Sequence, residues 1–161
     1  MSQKYDHVTD TAIRESLVDY KERIDEHKSD ALSLSKYRVE KPWGYEVWLE
    51  MNEFYALKLL HFKKGNRCSL QLHEKKIESV YVLEGEAEVF LENEDGVLVP
   101  QIFGPGDGWT VPTNKKHRVY AKTDFTVLEA QSPHLNDVIR FEDDSNRASG
   151  KISSEHLGQE S

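Results

Sequence analysis

The sequence predicts an all-β domain, a sandwich or barrel of antiparallel strands with an additional N-terminal α-helix. Beyond Trp43 the chain consists of short apolar or alternating runs separated by Gly, Pro, Asn and Asp, the pattern of short strands joined by turns. Many such strands at close spacing favour a sandwich or a barrel. A chain of 161 residues is long enough for one domain with a sizeable core and short for two.

The helix is predicted from residues 10–31, where Asp10 or Thr11 can cap its start. Four apolar residues recur there at helical spacing among mixed charges: Ile13, Leu17, Tyr20 and Ile24. Their narrow stripe predicts packing on the main body or on a second subunit. We expect residues 1–40 to form this helical arm.

The barrel is expected over residues 41–147. Its strand-like runs are, in order, YEVWLEM, YALKLLHF, SLQLH, SVYVLEG, AEVFLEN, VLVPQIF, GWTVP, HRVYAK, FTVLEAQ and VIRF. Residues 148–161 are polar and small, and they carry too little apolar surface to order themselves. We therefore expect a disordered tail there.

Composition limits the classes of function. The chain has 29 acidic and 21 basic residues and a pI near 5.4, so its overall field disfavours nucleic acid and anionic membrane surfaces as partners. It has no long apolar run and no export signal, and we expect a cytoplasmic protein. The single Cys68 excludes an internal disulfide and is interpreted as core filler.

Four residues with metal-ligand chemistry lie close together in the predicted strands. Gln71 and His73 share one face of a strand, since successive side chains alternate. Antiparallel pairing with the next strand would bring Glu78 near them, and His117 could join from a strand far off in sequence. Two imidazoles, a carboxylate and an amide oxygen make a mixed N/O site that suits Zn²⁺, with Mn²⁺, Fe²⁺ or Co²⁺ as alternatives.

The spacing of these residues resembles the two motifs of the cupin superfamily. The first is G-x5-Q-x-H-x4-E-x6-G from Gly65 to Gly85, and the second is G-x5-P-x-N-x2-H from Gly106 to His117. The stretches KPWGYEVWL, LKLLHFKKGNRCSLQLHEKKIE, VPTNKKHRV and DVIRFEDDSNR resemble the cupin domain of type II mannose-6-phosphate isomerases. In bifunctional enzymes that domain follows a mannose-1-phosphate guanylyltransferase, whose activity we do not expect here.

The resemblance implies a cupin jelly-roll β-barrel that binds one divalent metal through Gln71, His73, Glu78 and His117. It also implies an aldose–ketose isomerase, in which the metal polarises the sugar oxygens and a base carries a proton between two carbons. Glu129 is the candidate base. Its alternative is a partly exposed acid paired with a neighbouring lysine.

Several cations and one amide are assigned to the substrate. Lys58 is assigned to both catalysis and substrate binding, because it lies on an apolar strand where an idle lysine is disfavoured. Lys76, Gln131 and Arg140 complete the substrate-binding group. Lys76 stands where the family has Arg, and Arg140 could instead pair with Asp143 or Asp144 at the surface.

Two departures from the family pattern leave other functions open. Glu78-Ser79-Val80 replaces Glu-His-Trp, and Ser145-Asn146-Arg147 replaces the closing Tyr-Gly-Arg. The alternatives are a non-catalytic cupin that binds a sugar or another metabolite, and an Fe²⁺ oxygenase with two histidines and one carboxylate. In each case we expect a small-molecule partner, a sugar or sugar phosphate first, and a homodimer.

Overall fold

A computed structural model describes the backbone of residues 3–159 and the side chains of residues 4–156. One helix, α1 (Thr11–Glu26), precedes the strands. The strands are β1 (Tyr37–Lys41), β2 (Gly44–Met51), β3 (Ala56–Phe62), β4 (Leu70–Leu72), β5 (Glu78–Glu84), β6 (Ala87–Glu92), β7 (Leu98–Phe103), β8 (Gly108–Val111), β9 (His117–Ala121), β10 (Phe125–Gln131) and β11 (Ile139–Glu142). Short 3₁₀-helices cover Gln3–Tyr5 and Ser153–Gln159. Among the described residues, none of the helices is long and apolar enough to cross a lipid bilayer.

The strands form two antiparallel sheets that face each other, so the predicted all-β jelly-roll class is confirmed. One sheet has six strands in the order β1-β2-β3-β10-β5-β8, and the other has five in the order β11-β4-β9-β6-β7. The first strand was not predicted, since Tyr37–Lys41 lies largely within the range expected to be a helical arm. Tyr37 and Val39 are buried in alternation with exposed Arg38 and Glu40, which is the ordinary pattern of a half-buried strand.

The main core lies between the two sheets. Val82, Val89, Phe125 and Val127 are among its most buried members. Gly85 directly follows β5 and has φ +84°, and a Cβ atom there would lie 1.9 Å from the carbonyl oxygen of Asp124. The first motif therefore ends on glycine because the chain passes directly over another backbone segment.

A second apolar cluster joins α1 to β1 and β2. Asp10 caps the helix, because its side chain accepts a hydrogen bond from the backbone N–H of Ile13. Leu17, Tyr20 and Ile24 are buried against residues that include Trp48. The predicted N-terminal helix is thus confirmed, and it packs on the main body of the same chain.

The segment after Ala148 differs from the expected disordered tail. Ser153–Gln159 forms a 3₁₀-helix, and His156 is buried with its Nδ1 2.8 Å from the hydroxyl of Tyr37. The Glu155 carboxylate accepts a hydrogen bond from Lys41 at 2.5 Å. Polar contacts to β1 hold this segment in place. The expectation of disorder considered only the small apolar surface of the segment and so omitted these contacts. Residues 160 and 161 lie outside the described residues.

Candidate metal centre

Two histidines and one glutamate converge inside the barrel. His73, Glu78 and His117 are buried, and one ligand atom from each lies within 4.8 Å of the others. His73 Nε2 is 3.0 Å from Glu78 Oε1, and His117 Nε2 is 3.5 Å from Glu78 Oε2. A carboxylate between two imidazole nitrogens is a donor set that divalent transition metals accept.

The three residues meet because the two sheets face each other. His73 follows β4 and His117 begins β9, which are neighbouring strands of the five-stranded sheet. Glu78 begins β5 in the six-stranded sheet, where it pairs with β10 and β8. The expected pairing of β4 with β5 is therefore wrong. Strand alternation gives the face on which a side chain lies, but it does not identify the neighbouring strand.

Both imidazoles are oriented by backbone carbonyls. His73 Nδ1 lies 2.6 Å from the carbonyl oxygen of Asp137, and His117 Nδ1 lies 3.1 Å from that of Lys115. Because a carbonyl only accepts, Nδ1 carries the proton in each ring and the Nε2 lone pair faces Glu78. His73 Nε2 is buried without a hydrogen-bond partner among the described residues, despite its short distance to Glu78. An orphaned imidazole nitrogen pointing at a carboxylate fits a bound metal ion.

Gln71 lies beside this group with its amide nitrogen turned inward. Its Oε1 accepts a hydrogen bond from the Ser69 hydroxyl at 2.6 Å, while Nε2 is 3.5 Å from His117 Nε2. An amide coordinates a metal through oxygen, so Gln71 would join the ligands after its side-chain amide rotates by half a turn.

Asp137 is a supporting residue that the sequence did not single out. Its carboxylate accepts hydrogen bonds from the backbone N–H groups of Glu74, Lys75 and Lys76 at 3.1, 2.7 and 2.8 Å. Burial opposes ionisation, but these donors hold the pKa of Asp137 below its usual value. Asp137 thus fixes the turn between His73 and Glu78 with its side chain and orients His73 with its carbonyl. The sequence shows Asp137 only as an acidic residue shortly before β11, and this position does not indicate its contacts to the turn and to His73.

Lys76 occupies a position next to the proposed ligands. Lys76 is buried, and its ammonium lies 2.9 Å from Glu78 Oε1, the oxygen that also faces His73. Burial favours the protonated form of Glu78, yet the charge of the Lys76 ammonium holds its pKa well below the usual range. Burial likewise lowers the pKa of His73. The site therefore presents an ionised carboxylate and a neutral imidazole.

Glu129 and Lys58 lie opposite each other on β10 and β3, facing the interior. Burial and the nearby Glu78 carboxylate raise the pKa of Glu129 to about 8, so the expected alternative of an exposed acid does not hold. Lys58 is buried, and its Nζ lies 3.3 Å from Glu46 Oε2 and 4.3 Å from the centre of the Trp48 ring. Burial lowers the pKa of Lys58. Glu46, its partner, was not predicted to belong to the site.

Arg140 does not form the surface ion pair considered from the sequence. Its Nη1 donates to the carbonyl oxygens of Ala148 and Gly150, the latter at 3.1 Å, and its Nε is buried without a partner among the described residues. The nearby acids have other partners, since Asp143 pairs with Arg147 and Asp144 with Arg67 and Arg118. Arg140 is a half-buried cation that forms no ion pair among the described residues, and partial burial lowers its pKa.

One cavity connects most of these groups. It is lined by Gln71, Glu78 and His117 of the proposed metal site, by Lys76 beside Glu78, and by Lys58, Glu129 and Arg140, whereas His73 does not line it. Gln131 is buried with no hydrogen-bond partner for either amide atom among the described residues, but it does not line this cavity. The structure therefore brings the predicted catalytic and cationic residues to one cavity, whereas Gln131 lies opposite Glu78 on β10 without lining that cavity.

The second motif supports the first through Asn114. This residue has φ +60° at the position where cupins commonly have glycine, and asparagine tolerates that conformation better than most residues. Its backbone N–H donates to the carbonyl oxygen of His73 at 2.7 Å. The turn before His117 is thus tied directly to the other histidine.

The pattern of the family described as mannose-6-phosphate isomerase C-terminal matches residues 28–143. The xanthan biosynthesis protein XanB of Xanthomonas campestris is 28% identical over 146 residues, which is 84% of this chain and 30% of that protein. The mannose-1-phosphate guanylyltransferase ManC of Salmonella typhimurium is 27% identical over 139 residues, covering 82% of this chain and 28% of that one. The chain thus spans about a third or less of the length of these relatives.

Solved structures share the fold. An RmlC-like cupin from Shewanella frigidimarina superposes with a TM-score of 0.54 at 24% identity, covering 66% of this chain and 94% of its own. An oxalate decarboxylase from Bacillus subtilis gives 0.58 at 22% identity, covering 72% of this chain and 34% of its own. These likenesses place the two sheets in the cupin fold, and the match over residues 28–143 shows that the chain belongs to the mannose-6-phosphate isomerase C-terminal family.

Proposed function

We propose that this chain binds one divalent metal ion and interconverts an aldose and a ketose sugar phosphate, of the mannose 6-phosphate type. The observation that carries the proposal is the shared cavity, whose lining brings Glu78 and His117 of the group His73, Glu78 and His117 together with Glu129 and the cations Lys58, Lys76 and Arg140. Membership of the family is consistent with this activity but does not specify it.

The metal ligands in this proposal are His73, Glu78 and His117, with Gln71 as the fourth after its amide rotates. When bound, the metal would act as a Lewis acid toward the sugar oxygens. We favour Zn²⁺ because of the two imidazoles, and Mn²⁺, Fe²⁺ and Co²⁺ suit the same donors. A fourth protein ligand argues against an oxygenase, which requires open positions for its substrates.

Glu129 is the proposed proton carrier. Its pKa of about 8 lies close to neutral pH, so its carboxyl group can both accept and return a proton during a reaction cycle. Lys58, directly across from it on β3, places a positive charge beside the oxygen atoms on which negative charge develops. Glu46 and Trp48 restrain the lysine in that position.

Arg140 is the proposed phosphate contact. Its Nη1 is used by backbone carbonyls, which leaves the edge that carries Nε for another acceptor. An arginine edge matches the oxygens of a phosphate group, and the resulting bonds are charge-assisted. Lys76 supplies further positive charge in the same cavity.

A non-catalytic binding protein is the second candidate. The observation that favours it is the pairing of Lys76 with Glu78 at 2.9 Å, because an ammonium beside a metal-binding carboxylate weakens metal binding. This candidate predicts sugar phosphate binding without turnover.

The test begins with metal analysis of protein purified without added metal, followed by an assay of mannose 6-phosphate and fructose 6-phosphate interconversion. Under the isomerase proposal, Glu129→Gln keeps its metal and its affinity for mannose 6-phosphate but loses turnover. Arg140→Ala should weaken mannose 6-phosphate by about tenfold to a hundredfold and mannose hardly at all. Binding without turnover in the wild-type protein would favour the second candidate.

A further inference from the structure

Part of the cavity is lined by residues that lie outside the family match. Tyr20 comes from α1, and Lys151, Ile152, Glu155 and His156 come from the C-terminal segment. The family pattern ends at residue 143 and begins at residue 28. This part of the cavity is therefore built by segments that the family pattern does not include.

The C-terminal segment is attached to the barrel at several points. Glu155 accepts hydrogen bonds from Lys41 at 2.5 Å and from Arg147 at 3.1 Å, and the three side chains are only 10–12% exposed. His156 bonds the Tyr37 hydroxyl and packs against the rings of Tyr20 and Trp48. These contacts hold the segment against the cavity as one of its walls.

Arg140 connects this wall to the interior. One edge of its guanidinium donates to the carbonyl oxygens of Ala148 and Gly150, and its backbone N–H donates to the Ser149 hydroxyl at 3.0 Å. Its Nε is buried, lacks a partner among the described residues and belongs to the other edge. Because the group is planar and rigid, an anion bound at the Nε edge also fixes the edge that holds residues 148–150.

We infer that residues 148–156 complete the ligand site as its outer wall, and that Arg140 couples the position of this wall to an anion bound in the cavity. The anion would be a phosphate monoester, since a planar, charged guanidinium edge favours a compact dianion. Its identity rests on the proposed function, whereas the wall itself does not.

The coupling is reciprocal. If the closed wall strengthens ligand binding by some factor, then the bound ligand stabilises the closed wall by the same factor. The peptide bond after Lys151 lies within this segment, so cleavage there by trypsin reports how often the wall is released.

The experiment uses the full chain loaded with Zn²⁺ and compares wild type with Glu155→Gln, which removes the charge that binds Lys41 and Arg147. Glu86→Gln is the matched control, because Glu86 forms an ion pair of 2.7 Å with Lys122 away from the cavity lining. Cleavage after Lys151 is followed by mass spectrometry with and without mannose 6-phosphate, and metal removal by a chelator is timed in parallel.

We expect Glu155→Gln to be cleaved about tenfold faster, to lose metal faster and to bind mannose 6-phosphate about tenfold more weakly, while the control matches wild type. Mannose 6-phosphate should slow cleavage in wild type but not in Arg140→Ala, and mannose should have no effect. If wild type and Glu155→Gln show equal rates of cleavage after Lys151 and equal rates of metal loss, the inference that residues 148–156 form a wall of the site is refuted. If mannose 6-phosphate does not bind wild type at all, the proposed function and the coupling both fail. The rates of cleavage and of metal removal by the chelator still test whether residues 148–156 form a wall of the site.

Discussion

Asp137→Asn tests the support of the proposed metal site without touching a ligand. The carboxylate accepts two backbone N–H groups on one oxygen, from Lys75 and Lys76, and one from Glu74 on the other. Asparagine has a single acceptor oxygen. It can keep the first two bonds, but it turns its own NH₂ group toward the N–H of Glu74.

The free energy lost in Asp137→Asn can be estimated from these hydrogen bonds. One hydrogen bond is lost, and two bonds to a charged acceptor become neutral ones, at roughly 1 kcal/mol for each change before solvent exposure is considered. With a discount for the partial exposure of Asp137, about 2 kcal/mol remains, which is roughly thirtyfold in an equilibrium constant. The turn between His73 and Glu78 must be ordered for both to reach one ion, so the loss should appear in metal affinity.

Calorimetric titration of metal-free protein with Zn²⁺ measures this affinity. Asp30→Asn is the matched control, because Asp30 also accepts two backbone N–H groups, from Leu32 and Ser33, in a loop remote from the site. We expect about thirtyfold weaker binding for Asp137→Asn and no change for Asp30→Asn. An Asp137→Asn protein that binds Zn²⁺ as tightly as wild type would refute the role of this carboxylate.

Three further outcomes are expected. His117→Ala removes a ligand that no neighbour replaces, so metal content after dialysis should collapse; retention of the metal would contradict the ligand set. Lys76→Met removes an ammonium 2.9 Å from Glu78, and titration should show at least about tenfold tighter Zn²⁺ binding, whereas weaker binding would mean that Lys76 supports the site. Burial lowers the pKa of His156 to about 4, so its stabilisation is complete above about pH 6.5 and is lost as the pH falls through 4. Between pH 7 and pH 5, denaturant unfolding should show a loss about 2 kcal/mol larger in wild type than in His156→Gln, and parallel losses would exclude a buried neutral imidazole.

The convergence of His73, Glu78 and His117 could be predicted from the sequence, because the spacing of these residues is contained in two short motifs. The alternation of β10 likewise indicated an interior Glu129, since burial on a strand repeats every second residue. The pairing of β4 with β5 could not be obtained in this way, because strand partners are chosen by the whole topology. Asp137 and Glu46 were missed for a related reason, since their roles depend on contacts to residues of other strands and turns.

The C-terminal segment shows a different limit of sequence reasoning. Its composition indicates disorder, because apolar surface is scarce there. In the structure, however, Glu155 meets two cations and His156 enters the aromatic cluster around Tyr37. Such contacts depend on the distant residues that accept the segment, which composition does not describe.

The aromatic cluster beside the wall provides an intrinsic optical reporter. Trp48 belongs to the apolar cluster of α1, while Trp43 belongs to the core between the sheets. The Trp48 indole donates to Glu46 at 2.6 Å, and its ring touches Tyr20 and His156. Release of the wall would remove the imidazole of His156 from the Trp48 ring. Emission from a protein whose other tryptophans are replaced by phenylalanine would therefore follow the wall in real time, without any attached dye.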